Sequence, residues 1–387
     1  MKLEPEGLRY RAALFQQQFL PFDDVVRAEG RTLSLADGSQ VRVSAQVASA
    51  IEAVVHGPRA ADTLATAAQS FLEYVSGALW APERAARALL DLATKLDATD
   101  IHLEAEPDHV GVRLRLAGEV VPFTALPLPI GTRLVAALKK LAGCLPYRRD
   151  VAQEGRIPRD GIAADVRACF VPTALGERVA LRLFGKLLQL EQLGFEPELL
   201  RRLQGVLRLE SGLVLIAGPS GGGKTTTLYS ALAAVAAQRR SAHLSLEDPV
   251  EQRLRMAGIP VDQIELCPER GLTGEAALSA ALRQDVDVLA VGELRTAAEA
   301  SLAVKAAHTG RLVLAGLHAG STGEALQRMR DLGVEAALLD QTVLAVVHQR
   351  LQTRPCAAHA TSGCAPCRGL GRVRVLNASL WIRAEAV

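Results

Sequence analysis

The rhythm of hydrophobic and polar positions changes near residue 187. Before it, strand-like alternation dominates. Leu33 and Leu35, then Val41 and Val43, alternate with polar residues across Asp37-Gly38, which predicts a β-hairpin with a tight turn. From Pro82 the period lengthens, and Ala85, Ala86, Leu89, Leu92, Ala93 and Leu96 fall on one face of a predicted helix. Three strand-like runs then carry arginines at alternate positions. Val110, Val112, Leu114 and Leu116 alternate with Arg113 and Arg115. Val179, Leu181 and Leu183 leave Arg178 and Arg182 on a shared face, and Arg167 lies opposite Val166 and Ala168. Such a face ordinarily meets solvent; taken together, the arginines make a candidate anion site. Beyond residue 187 the apolar runs become short and continuous: Leu213 to Ala217, Val286 to Val291 and Leu312 to Leu314. Buried strands separated by helical stretches predict an α/β domain with a parallel sheet.

Composition narrows the class. A chain of 387 residues has room for two or three domains at roughly 150 residues each. With 49% hydrophobic and 22% charged residues it is built to fold. Lys+Arg 44 against Asp+Glu 42 leaves a net charge of +2, so no general nucleic-acid binding is expected. No apolar run approaches the roughly 18 residues of a membrane span, and Glu4 and Glu6 sit where a signal peptide wants its apolar core. A soluble intracellular protein is the expectation.

The first chemistry is local. Gly218-Pro219-Ser220-Gly221-Gly222-Gly223-Lys224-Thr225 fits G-x-x-x-x-G-K-[ST], directly after an apolar strand and before a helical stretch opening on Thr226. Glycines let backbone N–H groups turn around phosphates, and the helix N-terminus adds positive potential. Lys224 is expected to bridge phosphate oxygens and the Thr225 hydroxyl to bind Mg²⁺. Hydrolysis further needs carboxylates. The Val286–Val291 run ends in Gly292-Glu293, so a glycine stands where many phosphate-loop enzymes keep a metal-binding Asp, and Glu293 alone serves there. Asp287 lies roughly 15 Å away at about 3.3 Å per residue, too far to substitute. A second acidic pair, Glu247-Asp248 before Pro249, ends the Leu244–Leu246 run. Adjacent parallel strands present their C-terminal ends on one rim, so Glu247 and Glu293 are candidates to flank a γ-phosphate. The plainer alternative for each is an acidic cap or a solvated loop.

These segments together resemble a known family. The set Gly218 to Tyr229, Glu247-Asp248-Pro249-Val250-Glu251, Gly271-Leu272-Thr273, Leu282 to Asp285, Val291 to Arg295 and Leu317-His318 is similar to the secretion ATPase superfamily of type II secretion and type IV pilus assembly. The likeness extends upstream to Ala98 to Glu104, Gln153 to Arg156 and Leu175 to Arg182. It implies an α/β fold: a RecA-like ATPase domain over 187–350 with a parallel-containing sheet. A PAS-like α+β domain over 81–186, a short docking region over 1–80 and a Cys/His module over 351–387 complete the implied organisation. It further implies ATP as substrate, catalytic roles for Glu247, Glu293 and Lys224, and Mg²⁺ at Thr225 and Glu293. Of the two glutamates, Glu247 is the better candidate for orienting water, with the roles exchangeable. A His box stands at His318, and Arg156, Arg167, Arg178 and Arg182 are candidates for arginines brought to the nucleotide.

Three positions depart from the family pattern. Arg311 replaces the His of the Thr-Gly-His stretch, Gly316 replaces the Thr before Leu317-His318, and Thr296 replaces an Asp. Near the C-terminus, Cys356, His359, Cys364 and Cys367 form two pairs suited to tetrahedral Zn²⁺, the alternative being a metal-free remnant. Relatives with such a module assemble rather than retract pili. Cys144, Cys169 and Cys267 are isolated. The resemblance implies a homohexamer, cytoplasmic and peripheral to the inner membrane, working with a platform protein and a cytoplasmic adaptor. Two other readings are a nucleotide-binding scaffold with weak turnover and a DNA-uptake or conjugation ATPase.

Overall fold

The computed structural model describes backbone strands between residues 2 and 42, then residues 64–77, 80–158, 164–185, 187–255, 258–356 and 372–384. The chain divides into two compact units. One comprises Met1–Lys186 with Pro355–Val373, the other Leu187–Arg354 with Arg374–Val387.

The first unit opens with β1 (Lys2–Glu4), β2 (Gly7–Arg11) and β3 (Gln17–Pro21) in one small sheet. A second holds β4 (Val25–Glu29), β5 (Thr32–Leu35) and β6 (Gln40–Arg42). Strands β5 and β6 pair antiparallel with Leu33 opposite Val41, as the alternation predicts, while the predicted turn and Val43 lie outside the described residues.

The main sheet of this unit is antiparallel, in the order β10 (Gln153–Ile157), β11 (Asp165–Thr173), β12 (Gly176–Phe184), β7 (Asp100–Ala105), β8 (His109–Leu116), β9 (Glu119–Pro127). Its inward residues, among them Ile101, Leu103, Val112, Leu114, Val166, Phe170 and Leu181, are buried against three helices. These are α1 (Leu64–Ser76), α2 (Pro82–Lys95) and α3 (Leu128–Leu141). The apolar stripe of α2 read from sequence is buried in full, and Leu90 joins it. An alternating strand covered on one face leaves its polar residues on the other, and that is where the arginines stand.

The second unit is an α/β sandwich. Its sheet runs β15 (Asp262–Glu265), β14 (His243–Glu247), β16 (Val288–Val291), β17 (Leu312–Leu317), β13 (Gly212–Ala217), β18 (Val343–Pro355), β19 (Arg372–Ile382). From β15 to β18 all pairings are parallel. Strand β13 is buried along its whole length, because helices cover both faces. Leu213, Leu215 and Ala217 enter one core with α6 (Gly274–Ala281), α7 (Ala297–His308), α8 (Thr322–Asp331) and α9 (Ala336–Thr342). Val214 and Ile216 enter the opposite core with α4 (Pro197–Val206) and α5 (Lys224–Gln238). Among the described residues no helix is long and apolar enough to cross a membrane.

Candidate nucleotide site

The phosphate loop sits where the sequence puts it, between β13 and α5. Gly218 has a φ of 155°, and a Cβ there would meet the Gln349 carbonyl at 2.3 Å, so only glycine permits this approach. Ser220, Gly221 and Thr226 are exposed, while Pro219, Gly223, Lys224 and Thr225 are half-buried at the base. Lys224 Nζ donates to the carbonyls of Gly218 at 2.9 Å and Pro219 at 3.1 Å. Burial pulls its pKa below the ordinary value, with the Glu293 carboxylate acting in the opposite direction.

Strand β17 separates β13 from β16, so the end of β17 lies between the phosphate loop and Glu293. It is bonded to both neighbours: Gly218 N–H donates to Leu317 O at 3.2 Å, and Leu294 N–H to Gly316 O at 2.9 Å. A Cβ on Gly316 would come within 2.0 Å of the Gly292 carbonyl, so the glycine in place of Thr is what this close crossing requires. His318 follows, exposed and without a hydrogen bond among the described residues. Arg311 is at the other end of β17, about 23 Å from His318 at roughly 3.3 Å per residue. There it bonds Thr309 Oγ1 and Leu282 O, so this departure lies away from the phosphates.

The two glutamates end adjacent strands as expected, with β14 and β16 paired up to Leu246 opposite Val291. Their surroundings differ sharply. Glu247 is 3% exposed and accepts from Ser245 Oγ at 2.6 Å, from Gln263 Nε2 at 2.9 Å and from the Tyr229 hydroxyl. Tyr229 comes from α5 and also accepts the Glu251 N–H at 3.2 Å. Burial first, then the Glu247 charge, drives the Tyr229 pKa far above its usual value, so the phenol stays a donor. Glu293 has a side chain 29% exposed. Its Oε2 accepts from Arg295 Nε at 3.0 Å, and Arg295 Nη1 reaches Asp248 Oδ2 at 2.6 Å. Glu293 is therefore the accessible carboxylate and Glu247 the anchored one. Asp287 is confirmed as remote: its Oδ2 accepts the Ala242 N–H at 2.8 Å before β16 begins. The Thr225 hydroxyl and the Glu293 carboxylate are hard oxygen donors of the kind Mg²⁺ takes.

In the first unit the arginines align. Arg156 is opposite Arg167, Arg167 opposite Arg182, and Arg182 opposite Asp100. Arg167 pairs with Glu154 at 3.0 Å and Arg178 with Glu104 at 3.1 Å. Arg182 has no ion pair among the described residues. Like charges directly opposite one another cost energy in a sheet, and at Arg167 the Glu154 carboxylate offsets part of that cost. Of the Cys/His set only Cys356 is among the described residues; His359, Cys364 and Cys367 lie outside them. Burial chiefly raises the pKa of Cys144, with the nearby Lys139 charge acting in the opposite direction.

Sequence reading assigned no role to Gln263, Gln349, Arg374 or Arg295. Arg295 and Tyr229 stand inside motif segments and were within reach. Gln263, Gln349 and Arg374 carry no local signal, because their roles depend on which strands become neighbours.

Comparison with known proteins agrees with this geometry. Residues 81–382 match the model for the type II/IV secretion system protein family. Type II secretion system protein E of Klebsiella pneumoniae is 38% identical over 278 residues, 70% of this chain and 55% of that protein. The type IV pilus assembly ATPase PilB of Thermus thermophilus is 36% identical over 67% of this chain and 29% of that one. The chain thus spans about half, or less, of the relatives it matches. A crystal structure of the pilus retraction motor PilT with bound ADP aligns with TM-score 0.58 and 25% identity, over 77% of this chain and 83% of that one. The Legionella pneumophila ATPase DotB aligns with TM-score 0.61 at 20% identity, over 77% and 80%, which speaks for the fold. Motifs, topology and matched span converge: the chain belongs to the type II/IV secretion system protein family.

Proposed function

We propose that this chain is an ATP-hydrolysing motor subunit of a type II secretion or type IV pilus assembly machine. The observation that carries the reading is the phosphate loop with Lys224 at its base and the accessible Glu293 on the same rim, across β17. The names of the secretion and pilus relatives support the setting. In this reading the loop amides and Lys224 bind the nucleotide phosphates. Thr225 and Glu293 would hold Mg²⁺, which supplies charge neutralisation between phosphate oxygens when bound. In this reading Glu293, as the accessible carboxylate, would also orient the attacking water. Glu247 acts through position, tying β14 to α5 beneath the site. The row Arg156, Arg167 and Arg182, with Arg178 beside it, is the arginine set that stabilises charge on the transferred phosphoryl group. We read the upstream unit as PAS-like and the working form as a cytoplasmic homohexamer at the inner membrane, engaged by a platform protein and an adaptor. Cys356, His359, Cys364 and Cys367 are assigned to a structural zinc on donor chemistry alone.

Steady-state phosphate release from Mg²⁺-ATP tests the site. Lys224→Ala and Glu293→Gln are each expected to lower it about a hundredfold or more. Parental rates in both would refute the assignment. The committed state of Glu247 favours one second reading, a nucleotide-binding scaffold with slow turnover. Its signature would be Lys224-dependent ATP binding without Lys224-dependent phosphate release.

A further inference from the structure

The phosphate loop is tied down from one side by two residues outside its motif. Strand β18 runs parallel beside β13 with His348 opposite Ala217, which sets Gln349 against the first turn of the loop. The Gln349 side chain is 1% exposed and donates from Nε2 to the Gly222 carbonyl at 2.8 Å. Its Oε1 is buried with no hydrogen-bond partner among the described residues. From the next strand, β19, Arg374 donates from Nη2 to the Gly221 carbonyl at 3.1 Å. An amide buried with its acceptor end unpaired is a cost to the fold that a leucine would avoid. The bond to the loop is what the residue provides in return.

The geometry of the peptide unit says what that bond does. The unit is planar and trans, so holding the Gly222 carbonyl toward β18 turns the Gly223 N–H to the opposite side. The Gly222 N–H closes a turn onto Pro219 O at 3.1 Å. Two successive peptide planes are therefore fixed, and amides of such loops are the groups that meet phosphate oxygens. We propose that Gln349 and Arg374 are positioning residues for nucleotide phosphate binding, preorganising the Gly221–Gly223 turn through its carbonyls. This inference rests on the ATPase reading above and adds to it residues that the phosphate-loop motif does not contain.

The test uses the full chain in four measurements: binding of a fluorescent ADP analogue, KM and kcat for Mg²⁺-ATP, and the thermal midpoint. Gln349→Leu is expected to bind the analogue about tenfold more weakly, the size of one lost hydrogen bond. Its KM should rise with kcat near the parent, and its midpoint should equal or exceed the parent's, since the unpaired Oε1 is gone. Arg374→Ala should bind several-fold more weakly, and Arg374→Lys should recover most of that loss. Because Arg374 is exposed, its variants decide the matter should Gln349→Leu fail to fold. Analogue binding within twofold of the parent in both Gln349→Leu and Arg374→Ala overturns the proposal. So does a lowered midpoint in Gln349→Leu with binding intact in Arg374→Ala. Lys224→Ala separates the two levels: if it binds the analogue as well as the parent, the phosphate-loop reading itself has failed. If Lys224→Ala alone loses binding, only the positioning role has.

Discussion

At the scale of single residues, burial distinguishes side chains that the motifs leave alike. Sequence alone leaves the roles of Glu247 and Glu293 exchangeable, since both close strand-like runs, Glu247 in an acidic pair and Glu293 alone after Gly292. The structure separates them by neighbours drawn from distant parts of the chain. Tyr229 on α5 and Gln263 on β15 both donate to Glu247, and neither contact is visible from spacing. Tyr229→Phe removes one donor while keeping the carboxylate, and leaves an anion buried with fewer bonds. A loss of about 1–3 kcal/mol in unfolding free energy is expected, read from urea denaturation. Glu247→Gln should lose a similar amount, and the double variant less than the sum, because both act on one bond. Strict additivity would show that Tyr229 does not anchor Glu247. His243 gives a pH test at the opposite end of the same strand. It is buried, and desolvation chiefly lowers its pKa from 6.5. The unfolded chain then binds a proton that the folded one resists, so this contribution to stability is present above pH 6.5 and fades as pH falls below it. His243→Leu is expected to flatten the slope of stability between pH 7 and 5; an unchanged slope would assign it to other groups.

At the scale of elements, what the sequence discloses depends on how local the cause is. The phosphate loop was legible because strand, glycines and helix are consecutive in the chain. The burial of β13 on both faces was legible because a continuous apolar run has few other uses. The placement of β17 between β13 and β16 was not, since parallel order is set by helices packing across both faces. That order explains the departures at Gly316 and Arg311, one at a backbone crossing and the other at the far end of the strand. Thr296, the third departure, is explained by capping. Its side chain accepts the Glu299 N–H at 3.2 Å, and Glu299 Oε2 accepts the Thr296 N–H at 3.0 Å, a reciprocal box at the start of α7. Asp does the same work at this position, so Thr296→Asp should fold with parental stability and turnover. Thr296→Ala should cost about 1 kcal/mol in urea unfolding and loosen the segment after Glu293. Equal midpoints for Ala and Thr would mean the cap contributes nothing here.

At the scale of the whole molecule, the chain joins two different answers to the same constraint. The first unit covers one sheet face with helices and leaves the other polar; the second covers both faces and keeps its chemistry at strand ends. The alternation of arginines disclosed the polar face, but the register that lines up Arg156, Arg167 and Arg182 came from strand pairing that the sequence does not display. Arg167 is offset by Glu154, whereas the Arg182 charge stands opposite Arg167, so its removal should not harm the fold. Arg182 is the decisive member, since it is exposed and without an ion pair among the described residues. If the row serves the transferred phosphoryl group, Arg182→Gln in the full chain leaves the thermal midpoint equal or raised and ADP-analogue binding near the parent. Phosphate release from ATP should meanwhile fall by about tenfold or more, because the missing charge matters where negative charge develops. Any gain in midpoint should shrink as salt screens the repulsion between exposed arginines. A solvated face with no function predicts the same midpoint and the same binding, so the split between binding and turnover is the measurement that separates the two. Full turnover in Arg182→Gln and in Arg167→Gln would return the row to solvent and leave the site to the second unit.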